Sequence, residues 1–383
     1  MENLKRILVC PNAFKGSLSA SMAAEAISIG VRRAFGSKKI VIDSIPLSDG
    51  GDSFLETMVT LSSGVFYTKS VKNPLGVQVD AKWGRLGGEQ GDTAVIEMAL
   101  ASGLALLQPS ERNPLIATTF GTGELILEAI KTGHKRLMIG IGGSATNDGG
   151  AGAMKALGAE FFDANGTRLS ARPRSLYRLA RIDVSGFRVP RDFEIIVACD
   201  VTNPLCGPNG ATEIYGAQKG VTGDLVPQLD DFLKLFAKIM KRDLGANVAN
   251  VPGAGAAGGL GAGLMAFCGA KLRSGIDILF EASQFDERLK RCQLVITGEG
   301  KLDSQTARGK AIAGVAKRAK ALRIPVIALA GAIEWEAEAK LRKLGVTSSL
   351  CICDSPMSLD QAMQDSETLL ANAAERAMRL LLL

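Results

Sequence analysis

Apolar runs and helical stripes alternate at both ends of the chain. Near the start, "RILVC" (6–10) is a short apolar run. "SASMAAEAISIGVRRAF" (19–35) then sets Ala23, Ile27, Val31 and Phe35 on one stripe, so a strand followed by a helix is predicted. "KIVIDSIPL" (39–47) predicts a second strand. The C-terminal part repeats the pattern. Strands are predicted at "CQLVITG" (292–298), "PVIALAG" (325–331) and "VTSSLCIC" (346–353). Helices are predicted at "GKAIAGVAKRAKALR" (309–323), "EWEAEAKLRKLG" (334–345) and, as one closing helix, 358–383. Such alternation at both termini predicts a parallel α/β sheet to which both ends contribute.

The middle differs. "VKNPLGVQVDAKWGRL" (71–86) reads as strands around a turn, "TAVIEMA" (93–99) as a strand, and "GTGELILEAIKTG" (121–133) as a helix closed by Gly133. A chain of 383 residues exceeds one ordinary core. The expected fold class is therefore α/β with two domains. One is a discontinuous Rossmann-like parallel-sheet domain (1–73 plus 290–383), and the other is an inserted α/β domain (74–289) with Gly-rich phosphate loops.

Six polar, glycine-rich stretches fall at strand ends or helix starts. "GIGGSATNDGG" (140–150) follows an apolar run and leads into an Ala-rich helix start. Backbone N–H groups converge at such turns, and a helix N-terminus adds positive potential, so it reads as a phosphate cradle. It holds no lysine and carries Asp148, which leaves the matching cation to be found. "CPNAFKGSLSA" (10–20) puts Lys15 in the turn leaving the first strand, with Ser17 and Ser19 beside it. Ligands of open parallel sheets bind at strand carboxyl ends, where a lysine can reach a phosphate; the alternative is a solvated loop lysine. "PLSDGGDSF" (46–54) flanks Gly50 and Gly51 with Asp49 and Asp52, suited to a metal or a hydroxyl, or to a plain turn. "VACDVTNPLCGPNGA" (197–211) ends a strand on Asp200, the setting of a Mg²⁺ ligand or of an Asx turn. "VPGAGAAGGLGAG" (251–263) contains the G-x-G-x-x-G fingerprint at Gly253, Gly255 and Gly258, but no convincing strand precedes it. "TGEGKLDSQTARGK" (297–310) supplies Glu299, Lys301, Asp303, Arg308 and Lys310, and here and at Lys15 are cations the first loop lacks. No Walker pattern occurs.

Composition narrows the classes. The chain is 46% hydrophobic and 22% charged, with a net charge of +6, which suits an anionic small molecule better than nucleic acid. The single histidine, His134, ends a predicted helix. Ser-His-Asp hydrolysis and histidine zinc sites are therefore set aside, and any general base must be Asp, Glu or Lys. The seven cysteines are scattered, which reads as free thiols in a reducing cytoplasm. The apolar run before Pro11 is too short for a signal peptide. Residues 244–270 lack charge, but glycine crowds their centre, and no membrane span is expected.

Taken in order, "FKGSLSA", "DGGD", "IEMALASGL", "TTFGTGELI", "IGGSATNDGGAG", "VACDVTNPL", "GAQKG", "PGAGAAGGLGAGL", "VITGEGKLDSQT" and "GK" resemble the bacterial glycerate-2-kinase family over essentially the whole length. The resemblance implies ATP-dependent phosphorylation of D-glycerate, at the 2-hydroxyl, with Mg²⁺, in a cleft between two α/β domains. Under it, Lys15, Asp49, Asp200 and Lys301 are the expected catalytic residues. Gly142, Gly143, Ser144, Asn147, Asp148, Gly255, Gly258, Gly259 and Lys310 are expected at the nucleotide. Ser17, Gly50, Gly51, Asp52, Glu299, Asp303 and Arg308 are expected at the substrate, and Asp200, Glu299 and Asp303 at the metal. The chain departs from the family pattern with Asn12 and Ala13, with Asp52 and Ser53, and with Ala311 and Ile312. Three other readings stay open: formation of 3-phosphoglycerate, an NAD-dependent hydroxy-acid dehydrogenase resting on Gly253–Gly258, and a non-catalytic metabolite-binding regulator. No nucleic-acid or membrane partner is expected, and the oligomeric state is left open.

Overall fold

The computed structural model describes residues 4–382 apart from 49, 52, 305 and 307–310. Its strands, in chain order, are β1 (Arg6–Val9), β2 (Val41–Ser44), β3 (Val65–Lys72), β4 (Gln78–Arg85), β5 (Thr93–Glu97), β6 (Arg136–Gly140), β7 (Glu160–Phe162), β8 (Arg181–Asp183), β9 (Glu194–Ala198), β10 (Lys271–Arg273), β11 (Leu294–Leu302), β12 (Val326–Ile333) and β13 (Ser348–Cys351). The chain forms two compact units, 1–49 with 276–383, and 50–275. Both divisions fall earlier than the 73/74 and 289/290 boundaries read from sequence. For the first of them the reason lies in β3, which begins at Val65 and pairs along its length with β4 in the second unit.

The first unit holds a five-stranded sheet in the order β13-β12-β11-β1-β2, parallel throughout. Counted within the unit, that order is 5-4-3-1-2, so the winding reverses between β1 and β11, the place where open α/β sheets bind ligands. Strands covered on both faces need unbroken apolar runs, and Ile7, Leu8 and Val9 are fully buried. The Ser19 hydroxyl caps the helix Ala20–Phe35 by accepting from the Met22 N–H, and Ala23, Ile27, Val31 and Phe35 are buried as the stripe predicted. The closing segment is two helices, Leu359–Gln364 and Ser366–Leu381, rather than one. A capping box between Ser358 and Gln361 starts the short first piece, and Asp365 breaks it.

The second unit holds a mixed six-stranded sheet in the order β10-β9-β6-β5-β4-β3. β5, β6, β9 and β10 are parallel, whereas β3 and β4 form an antiparallel edge. A 20-residue helix, Leu225–Leu244, buries Leu229, Phe232, Leu233, Phe236 and Met240 at helical spacing. Among the described residues, no helix is long and apolar enough to cross a membrane. The uncharged stretch near 256–268 is a glycine-rich segment, left-handed at 257–259 and helical beyond, whose residues 258–264 are buried in this unit's core.

Candidate functional site

In the first unit the switch point gathers one group of candidates. The backbone continues the β1–β11 pairing past the strand end, with the Cys10 N–H donating to the Ile296 carbonyl and the Asn12 N–H to the Gly298 carbonyl, both at 2.8 Å. The buried Thr297 hydroxyl donates to the Cys10 carbonyl at 2.7 Å. Phe14 and Leu18 then close a tight turn by exchanging backbone hydrogen bonds, which leaves Lys15 exposed at its tip. The Ser17 hydroxyl donates to the Phe14 carbonyl and so belongs to this turn. Gly300 of β11 runs beside the Lys15 backbone, since a Cβ built on it would stand 3.5 Å from the Lys15 nitrogen.

Downstream on β11, Lys301 pairs with Glu334 at 2.7 Å, and that carboxylate holds the ammonium pKa above its ordinary value. Glu299 and Asp303 share one residue. The Thr306 hydroxyl donates to Glu299, while the Asp303 carboxylate accepts from the Thr306 N–H at 3.2 Å and the Asp303 N–H donates back to the Thr306 hydroxyl oxygen at 3.1 Å. Asp49, Asp52, Arg308 and Lys310 lie outside the described residues.

The glycine loop of the second unit leaves β6 at the carboxyl edge of its sheet. The Gly142 N–H donates to the Gly50 carbonyl at 3.0 Å, and a Cβ on Gly142 would stand 2.5 Å from Cα of Gly51. The Gly50–Gly51 turn therefore packs on the loop, and the Gly142 amide is spent on protein. Glu97 fixes the helix that follows this turn by accepting from the Leu55 N–H at 3.2 Å. Gly143 is exposed with φ of 70°, and its carbonyl accepts from the Leu104 N–H. Among the described residues no acceptor is found for the N–H groups of Gly143 or Ser144. A left-handed residue followed by another amide donor is the geometry of an anion nest.

The loop's other side faces inward. Asp148 is fully buried and accepts from the Thr119 N–H (2.7 Å), the Thr119 hydroxyl (2.9 Å), the Gly150 N–H (3.0 Å) and the Gly152 N–H (3.1 Å). Burial nonetheless pushes its pKa upward. Asn147 is fully buried and donates to the Thr212 hydroxyl at 3.0 Å. Gly255, Gly258 and Gly259 are buried as well. The Gly258 carbonyl accepts from the Gly149 N–H, and a Cβ on Gly258 would stand 2.0 Å from the Thr146 carbonyl oxygen. The G-x-G-x-x-G run thus brings two backbones together, and no strand precedes it. Asn147, Asp148, Gly255, Gly258 and Gly259, expected at the nucleotide, lie buried on the underside of the loop: Asp148 and the close-packed glycines are engaged by protein, while Asn147 Oδ1 is buried with no partner among the described residues.

Asp200, at the end of β9, accepts from the Ser274 hydroxyl at 2.7 Å and from the Gly275 N–H at 3.0 Å. The lone histidine, His134, lies at the opposite edge of the same sheet. Its Nδ1 lies 2.9 Å from the Thr132 hydroxyl oxygen and 3.2 Å from the Ala129 carbonyl oxygen, at a helix C-terminus as expected from the sequence. Sequence reasoning missed one cation. Lys219, within "GAQKG", is 2% exposed and donates to the Ser144 hydroxyl oxygen and to the Thr146 carbonyl, each at 2.7 Å. Burial pulls its pKa down to about 7, opposed by Asp148. Its only sequence signal is a lysine inside a glycine-bounded motif. Thr119, Thr306 and Ser274 carried no separate signal.

Strand-end turns bearing lysines, carboxylates and an amide nest are the equipment of an α/β enzyme that handles phosphate. A family model described as the glycerate kinase family matches residues 7–382. The chain is 46% identical over 361 residues to the glycerate 2-kinase of Escherichia coli K12, covering 94% of this chain and 93% of that one. It is 45% identical to the glycerate kinase of Bacillus subtilis 168, covering 94% and 93%. A solved structure assigned as a glycerate kinase 2 from Salmonella typhimurium LT2 matches with a TM-score of 0.84 at 40% identity, covering 99% and 98%. The protein is thus a kinase, and it belongs to the glycerate kinase family.

Proposed function

We propose that this kinase transfers the γ-phosphoryl group of ATP to the 2-hydroxyl of D-glycerate, with Mg²⁺ as the accompanying ion. The observation that carries the reading is the Gly143–Ser144 turn, whose two amides find no acceptor among the described residues and whose Ser144 hydroxyl is held by the buried Lys219 ammonium. Such a turn binds an anionic oxygen. The choice of hydroxyl follows the Escherichia coli relative, a glycerate 2-kinase.

In the transfer, the glycerate oxygen forms a bond to γ-phosphorus, the bond to the β–γ bridging oxygen breaks, and the hydroxyl proton passes to a carboxylate. Lys15 is exposed on its turn and supplies charge to the phosphates. Lys301 does the same on exchanging Glu334 for a phosphate oxygen. Both described acceptor contacts of Asp200 orient its carboxylate, which leaves Asp49 as the proposed base. Asp52 and Arg308 are proposed at the substrate, with Arg308 on its carboxylate, and Lys310 at the nucleotide. With no histidine near these loops, the base is Asp, Glu or Lys, and an Asp commonly receives the hydroxyl proton in phosphoryl transfer.

For Mg²⁺, the donors fit. No group of three or more His, Cys, Asp or Glu gathers among the described residues, which argues against a resident zinc or iron. Mg²⁺ takes one or two carboxylates and completes its shell with water and phosphate oxygens. Glu299 and Asp303, meeting at Thr306, or Asp200, would hold it, and when bound it offsets the charge of the phosphates. The seven cysteines are free thiols, which supports a reducing compartment such as the cytoplasm. The inward-facing glycines leave no cradle for NAD at Gly253–Gly258, so the dehydrogenase reading is not carried forward.

The test is ATP-dependent turnover of D-glycerate, read through enolase with and without phosphoglycerate mutase. Signal without the mutase means 2-phosphoglycerate. Signal only with it means 3-phosphoglycerate and overturns the hydroxyl assignment. Absence of signal in both arms, with folded protein and Mg²⁺, overturns the reaction and returns the regulator reading.

A further inference from the structure

We propose that Lys219 is a positioning residue for phosphate binding, acting through Ser144, whose hydroxyl proton it directs toward an anion held at the Gly143 and Ser144 amides. The inference rests on the proposed reading of that turn as the nucleotide-phosphate site.

Three observations carry it. The first is the chemistry of the contact. The Lys219 ammonium is a donor only, so at 2.7 Å the Ser144 oxygen must accept. A hydroxyl whose lone pair is engaged by an ammonium turns its own O–H elsewhere. No acceptor for that O–H is found among the described residues, and the neighbouring amides of Gly143 and Ser144 are likewise unspent. Three donors then lie on adjacent residues of one turn, one of them polarised by a cation.

The second is rigidity. Lys219 ends the turn Ala217–Lys219, and its own N–H donates to the Gly216 carbonyl at 2.8 Å. Arg112 Nη1 donates to the Gln218 carbonyl at 3.2 Å. A Cβ on Gly220 would stand 2.6 Å from the Arg112 carbonyl oxygen, so the two segments are pressed together. The lysine stem is therefore aimed from a fixed base.

The third is that a tether alone does not require a cation here. Both described partners of the ammonium, Ser144 and Thr146, are neutral acceptors that an uncharged donor would satisfy. A buried charge without a hydrogen-bonded counterion is costly. The charged group acting on it is Asp148 of the loop, itself engaged by Thr119, Gly150 and Gly152. An incoming phosphate would add negative charge on the Ser144 side of Lys219, where its hydrogen-bonded partners are neutral. Burial, which lowers the lysine pKa to about 7, makes that effect pH-dependent in the free protein.

The experiment measures the Kd of ATP with Mg²⁺ by equilibrium binding to the full chain, for wild type, Lys219→Met, Ser144→Ala and the double variant, from pH 6 to 9. Each single variant is expected to weaken ATP by about tenfold or more, the scale of a hydrogen bond to a charged group. The double variant should be no worse than the weaker single, because the two residues act as one unit. Wild-type affinity should fall as pH rises through about 7 relative to Lys219→Met, whose profile should be flatter. Unchanged Kd values with a lowered unfolding midpoint would show a structural tether only and overturn the inference. Multiplying effects in the double variant would overturn it too. If Lys219→Met does not fold, Ser144→Ala decides: an unchanged ATP Kd overturns the inference. Wild type that binds ATP without phosphorylating D-glycerate overturns the proposed reaction, while the variants' loss of ATP binding still upholds this assignment.

Discussion

Gly258 lies so close to Thr146 that a Cβ on it would stand 2.0 Å from the Thr146 carbonyl oxygen. The position also has φ of 64°, which an L side chain rarely adopts. Gly258→Ala should therefore destabilise the protein by on the order of 3 kcal/mol or more, through overpacking and left-handed strain together. Gly166→Ala is the control. It has φ of 79° but open space around the new methyl group, and should cost about 1 kcal/mol. Urea unfolding of both variants checks the difference, and equal losses would mean that the close approach is absent in solution.

Asp148 is the buried organiser of the same loop, joining Thr119 to the start of the helix Ala151–Ala156 through four accepted hydrogen bonds. Asp148→Ala would leave several donors unpaired in the interior, and a loss on the order of 3 kcal/mol is expected. Asp148→Asn keeps the shape and one acceptor and should lose less. Chemical denaturation ranks the two, and a milder alanine variant would contradict the assignment.

Lys219 gives stability a pH dependence of known sign. Its pKa in the folded chain is about 7, below the ordinary 10.5, so folding disfavours the charged form. The penalty is full below pH 7 and disappears by about pH 10.5, and over that window wild type should gain stability as pH rises. The gain relative to Lys219→Met should be on the order of a few kcal/mol. Unfolding midpoints of the two proteins at pH 7 and pH 9.5 test this, and parallel curves would refute the shifted lysine.

Lys15 is exposed at the tip of its turn, so its removal should spare the fold. Lys15→Met is expected to lower kcat by about a hundredfold or more, the scale of one lost charge-stabilising group at a reacting phosphate. Its unfolding free energy should stay within about 0.5 kcal/mol of wild type. Steady-state kinetics beside a melting curve separate the two effects, and unaltered kcat would remove Lys15 from the chemistry.

Glu334 competes for Lys301. With that carboxylate neutralised in Glu334→Gln, Lys301 meets a phosphate without first giving up its partner at 2.7 Å. The KM for ATP should fall by about two- to fivefold, the scale of an exposed ion pair. A raised KM would instead mean that Glu334 holds Lys301 in its productive position.

Much of the fold is written in local pattern. The stripe Ala23–Ile27–Val31–Phe35 and the buried runs of β1, β11 and β12 could be read directly, because burial on one face or both demands those periods. The helix Leu225–Leu244 carried an equally plain stripe at Leu229, Phe232, Leu233 and Phe236 that composition-led reading of the middle passed over. Strand β3 was caught only at its end, because an edge strand with four exposed residues in a row shows neither an apolar run nor an alternation.

The sequence by itself determined the α/β class, the placement of Lys15, Asp200 and the glycine loop at strand ends, and, through its ordered motifs, the family. These depend on neighbours a few residues apart, or on strings that survive intact. Only the tertiary structure decided which groups of a polar loop face outward. In "GIGGSATNDGG" every residue type suits a ligand, yet Asn147 and Asp148 are turned into the core while Gly143 is left exposed. The same holds for Gly255–Gly259, where Gly258 and Gly259 serve backbone approach to residues 146–149 and Gly255 to Pro204. And the cation that the loop lacks comes from Lys219, about seventy positions along the chain. Its distance to Ser144 is a property of the folded packing, because no local rule of spacing connects two loops that meet only when the core has formed.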